Sequence, residues 1–136
     1  MAKKYIWIPS PTKAKKQKVS EGQKNEVNLF FEPLILQFKN ELKSVKPNKK
    51  YNYIIDIYTK WYQNYFYFCE KYKSESEFRT VDEFETKIVR LEFISENNFN
   101  FSYFRHTGQW HLVIENITLE NCLEMIIDNP NFRPMF

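Results

Sequence analysis

The sequence predicts an α+β fold, a five-stranded antiparallel sheet with an N-terminal and a C-terminal helix packed on one face. Three observations predict it. Apolar residues recur at helical spacing from Asn25 to Val45 and again from Leu119 to Ile126. Between those segments the bulky residues alternate with polar ones, as half-buried strands do. Turn-forming residues sit where the alternating runs meet, Asn97-Asn98 and Thr107-Gly108 above all.

The first helix carries Val27, Phe30, Phe31, Leu34, Phe38, Leu42 and Val45 along one stripe. Pro33 interrupts it. Proline is tolerated in a first turn and costly deeper in a helix, so the helix either starts near Phe30 or starts at Asn25 and bends. Lys43 and Lys46 suit the negative end of its dipole, and Pro47 stops it. Tyr51 to Lys73 reads as two strands with a turn near Trp61–Asn64, both faces bulky and the register open. Ser74 to Glu83 is a polar connection. Thr118 is the expected cap of the second helix, Asn129-Pro130 its stop, and the Asn131–Phe136 tail ends in apolar residues that can tuck back.

Phe84 to Asn116 is the best-specified stretch, three strands joined by two hairpins. A three-residue loop at Glu96-Asn97-Asn98, with Asn98 left-handed, puts Val89, Leu91 and Phe93 on the core side. A two-residue loop at Thr107-Gly108 pairs Phe104 with His111 and Arg105 with Trp110. That register gathers Phe99, Phe101, Tyr103, Trp110, Leu112 and Ile114 on the core face and predicts that Arg105 stacks on Trp110. The reverse face then carries Ile88, Arg90, Glu92, Ile94, Phe104, His106, His111 and Val113, a mixed set with enough apolar surface to suggest a ligand or partner face.

The 136-residue length suits one domain. The net charge of +3 is unevenly placed, because residues 1–24 hold seven lysines against Glu21. That leaves a basic arm and linker over 1–24 and a mildly acidic α+β domain over 25–136. Tyr5-Ile6-Trp7-Ile8 is a short apolar run within the arm. No signal core or membrane-length apolar run is present. Cys69 and Cys122 fit no metal or redox spacing and read as buried thiols of a cytoplasmic protein. With two glycines in the chain there is no phosphate-cradling loop, and neither cofactor nor metal is expected.

The run Arg105-His106-Thr107-Gly108-Gln109-Trp110, followed by the Leu119–Ile126 helix and Pro130, resembles small uncharacterised bacterial proteins. The segment Tyr53–Cys69, with its Ile-Tyr-Thr-Lys-Trp-Tyr run, is similar to theirs as well. The resemblance spans about residues 51–134 and implies no activity.

Three functions compete. The leading one is a non-enzymatic cytoplasmic binding or assembly domain, homodimeric through the reverse sheet face. The second is a nucleic-acid module using the arm lysines Lys13, Lys15, Lys16 and Lys18 with the aromatic strand Tyr65-Phe66-Tyr67-Phe68. The third is a phosphodiesterase- or nuclease-like enzyme in which His106 and His111, roughly 7 Å apart as diagonal neighbours, act as base and acid beside Arg90.

Overall fold

The structure, a computed structural model, describes residues 16–75 and 82–136. Lys13, Lys15 and the Tyr5–Ile8 run lie outside the described residues. Helix α1 spans Glu21–Lys43 and helix α2 Leu119–Asp128. The strands are β1 (Tyr53–Tyr62), β2 (Tyr65–Lys73), β3 (Glu83–Ser95), β4 (Asn98–Phe104) and β5 (Trp110–Ile117). They form one antiparallel sheet in sequential order, with both helices contributing to the core on one face.

Helix α1 begins inside the segment read as linker, four residues before Asn25. The cause is a capping box: the Ser20 hydroxyl accepts from the Gln23 N–H at 3.1 Å, and the Gln23 side chain accepts from the Ser20 N–H at 2.9 Å. Pro33 lies well inside the helix. It is exposed, as are Glu32 and Leu29. The Leu29 carbonyl that Pro33 leaves without a helical partner is therefore on the solvent side, where water can serve it.

The opposite side of α1 buries Val27, Phe31, Leu34 and Phe38. These pack on a layer from the sheet that includes Ile57, Phe66, Phe68, Val89, Leu91, Phe93, Phe99 and Phe101. Helix α2, capped as expected by Thr118, adds Cys122 and Ile126. The tail does tuck back, with Phe132 seated 5.0 Å from the Phe101 ring and 5.3 Å from the Tyr103 ring. The Asn64 side chain, in the β1–β2 turn, fastens the chain entering α1. Its Nδ2 donates to the Gln17 carbonyl at 2.6 Å and the Phe93 carbonyl at 3.2 Å, and its Oδ1 accepts from the Val19 N–H at 3.1 Å.

Both hairpins of the meander differ in register from the sequence expectation. At the first, the loop tightens to Glu96-Asn97, with Asn97 left-handed (φ 50°) instead of Asn98, and Ile94 is taken up as a bulge. The shift is by two residues, so Val89, Leu91 and Phe93 keep the core side. At the second, the shift is by one, which exchanges faces. The Gly108 N–H donates to the Arg105 carbonyl, the Arg105 N–H to the Gln109 carbonyl, and Gly108 takes φ 85°. That is a three-residue loop closed by a left-handed glycine, a common alternative to the two-residue turn. Phe104 therefore pairs with Trp110 and Tyr103 with His111. Trp110 and Leu112 move to the reverse face, and His111 moves to the helix side.

Phe31 is fully buried, with ring centroids 5.1–5.7 Å from Phe66 and Phe68. Replacing it by alanine leaves a ring-sized void between α1 and the sheet. Phe31→Ala is expected to cost about 3–5 kcal/mol in urea unfolding, whereas Leu29→Ala on the exposed side should shift stability by less than about 0.5 kcal/mol.

Candidate functional site

The reverse face of the sheet is assembled from alternate residues of all five strands. At its centre the Arg90 guanidinium lies 4.6 Å from the Tyr65 ring centroid and 4.5 Å from that of Trp110. The Trp110 ring also meets Tyr67 at 5.8 Å and Phe104 at 5.2 Å. Trp110 reaches this far because of what lies between. Ser102 pairs with Arg90 on one side and Leu112 on the other, and its short side chain leaves room for the indole to lie over β4. Ser102 is buried as a result. The expected Arg–Trp stack thus forms with Arg90, while Arg105 stands exposed in the loop.

Next to the stack is a charge cluster centred on Glu85. Its carboxylate takes Lys60 at 2.6 Å, Lys87 at 3.1 Å and the Tyr58 hydroxyl. Burial alone would raise the Glu85 pKa, but the donors Lys60, Tyr58 and Lys87 outweigh it and hold the carboxyl down at about 2. The Tyr58 hydroxyl is pushed upward by burial and by the same carboxylate. Beneath lies Cys69, fully buried, its thiol raised to about 11 mainly by desolvation. Cys122 is raised to about 12, again mainly by burial. Both sulfurs are protonated at neutral pH, and neither has the thiolate character of a nucleophile.

The predicted site residues are dispersed by this geometry. Ile94 is buried and Ile88 packs against the core at a bulge between β2 and β3, so neither offers the apolar surface expected of them. Glu92 is engaged by Lys16 at 2.8 Å and by Asn100. Lys18 is exposed. Arg90 is held in its stack on the reverse face. His111 lies on the helix side, its ring 5.5 Å from Tyr103, and His106 is exposed in the β4–β5 loop. The one-residue register shift thus puts His111 on the opposite side of the sheet from Arg90, with His106 in the loop. Among the described residues, no group of three or more His, Cys, Asp and Glu side chains is placed to hold a metal ion.

Exposed apolar surface is found instead along β5. Leu112, Val113 and Ile114 are consecutive and 49, 38 and 43% exposed. Among the described residues β5 is the last strand of the sheet and pairs only with β4, which leaves its outer backbone edge without a described partner. Two bulges interrupt its pairing, one at Val113 and one before Ile117, where Asn116 is left-handed (φ 57°). The signal for this site was present in the sequence as three adjacent aliphatics in the final strand of a meander. The expected register hid it by assigning Leu112 to the core face.

Glu85 makes the cluster sensitive to acid. A carboxyl whose folded pKa is depressed contributes stability that is complete above its unfolded pKa, about 4.3, and is lost as pH falls through its folded value. Glu85→Gln should therefore unfold more easily than the parent chain at pH 7 in urea titrations. The difference should shrink as pH falls from about 4.3 towards 2.

Among the described residues no helix is long and apolar enough to cross a membrane. Comparison with curated proteins and with solved structures finds no match. Residues 33–134, from the middle of α1 through the tail that seats Phe132, match the domain of unknown function DUF3024. That span reaches further towards the amino terminus than the resemblance around the β4–β5 hairpin suggested, and it takes in the second part of α1, the whole sheet and all of α2. The chain belongs to the DUF3024 family.

Proposed function

We propose that this domain is a non-enzymatic assembly module of the cytoplasm, in which two copies join along β5 and the adjoining margin of the reverse face. The observation that carries the proposal is the run of three exposed aliphatics on a strand that is, among the described residues, the edge of the sheet. Such an edge is a template for strand addition. The rest of the reverse face is filled by its own Tyr65–Arg90–Trp110 stack and Glu85 cluster, which confines the contact to the β5 margin.

A second copy suits this edge because β5 is complementary to itself. An antiparallel two-fold lays the Leu112–Ile114 run of one copy along the same run of the other, so apolar surface meets apolar surface. The two-fold consumes both edges, and the bulges limit the straight stretch open to further strands. The buried, unbridged thiols of Cys69 and Cys122 suit a reducing compartment. The sheet lies between His111 and Arg90, which favours assembly over phosphodiester chemistry.

Size exclusion with multi-angle light scattering should give twice the 16.7 kDa chain mass. Leu112→Lys with Ile114→Lys brings like charges into the contact from both copies and should yield monomer. A parent chain that is monomeric throughout the micromolar range would end the proposal, as would a doubly lysine-substituted variant that still dimerises.

A further inference from the structure

A cleft of 640 Å³ opens on the helix side of the sheet, where the tail after α2 passes the β4–β5 loop. Its polar lining is unevenly charged. The Arg105 and Arg133 guanidinia and the His106 imidazole all border it, and among the described residues none of the three has a carboxylate partner. The Arg133 Nε is shut off from water with no acceptor among the described residues. An unsatisfied buried donor is costly.

The one acid of the cleft does not neutralise these groups. Glu70 is buried and committed elsewhere, accepting from the Thr86 hydroxyl at 3.2 Å and from the Tyr72 hydroxyl and the Met135 N–H. Desolvation raises its pKa, which weakens its negative field. Lys87 borders the cleft too, but its ammonium is drawn to Glu85 and over the Tyr67 ring on the reverse face. The remaining walls include Ile88, Tyr103 and Phe104, which are apolar or aromatic. The volume falls within the range of small-molecule sites.

We infer that this cleft binds a phosphate monoester whose body is apolar or aromatic. Guanidinium forks suit the several oxygens of a phosphate dianion, and the ring-lined wall suits the group that carries it. The site is independent of the β5 contact.

Isothermal titration of the full chain with phenyl phosphate, inorganic phosphate and malonate tests the inference. Phenyl phosphate should bind saturably and more tightly than inorganic phosphate. Arg105→Gln and Arg133→Gln should each weaken both by about tenfold or more, while Lys43→Gln on α1 should change neither. Arg105 is exposed in a loop, so its substitution leaves the fold intact even if Arg133→Gln does not. No saturable binding in the millimolar range, or affinities that Arg105→Gln leaves unchanged, would overturn the site. Malonate binding tighter than either phosphate would overturn the phosphate assignment, and equal affinity for the two phosphates would overturn the role given to the apolar wall.

Discussion

Two helices can shield only one side of a five-stranded sheet, and that limit shapes the rest of the molecule. The shielded side holds the phenylalanine layer in which Phe31 meets Phe66 and Phe68. Among the described residues the other side has no second layer to lean on. It is covered by its own side chains, with the Trp110 indole laid over Ser102 and the Arg90 guanidinium held between two rings. Lysines and tyrosine gather on Glu85 close by. Large amphipathic side chains thus replace a missing helix, their apolar bodies lying on the sheet and their polar ends meeting each other or water.

This arrangement bears on where chemistry can occur. Guanidinium, carboxylate and thiol on the reverse face are all engaged or buried, and each spends its polarity within the fold. The surfaces left with unspent capacity are peripheral. One is the β5 edge, apolar and, among the described residues, unpaired. The other is the cleft by the tail, where Arg105 and Arg133 have no carboxylate partner among the described residues. Both depend on the β4–β5 hairpin, which supplies the strand to one and Arg105 and His106 to the other.

Much of the architecture was legible because it rests on periodicity. The alternation of Val89, Leu91 and Phe93 assigned the core side of β3 even though the hairpin after it has a different loop, since a shift of two residues preserves faces. The stripes of α1 and α2 and the Thr118 cap were equally readable. What failed was parity. Gly108 fits a two-residue or a three-residue loop, and the choice decides which way β5 points from Trp110 to Leu112, up to the bulge at Val113. Trp110 was assigned inward by the two-residue register. It is half-buried, but against Arg90 and the tyrosines instead of the helices. The start of α1 was lost for a smaller reason, since Ser20-Glu21-Gly22-Gln23 carries a capping box within a lysine-rich stretch that suggested linker. The candidate site depended on parity and so was the least legible part.

The Asn64 side chain links parts of the chain that are remote in sequence. One amide holds the approach to α1 at Gln17 and Val19, the corner between the first two strands, and the end of β3 at Phe93. The first turn of α1 cannot fray without also loosening that corner, because the same amide serves both. Local opening at the start of the domain is therefore tied to the stability of the sheet, and a tether attached ahead of Lys16 would transmit tension to β3 before it could unwind the helix.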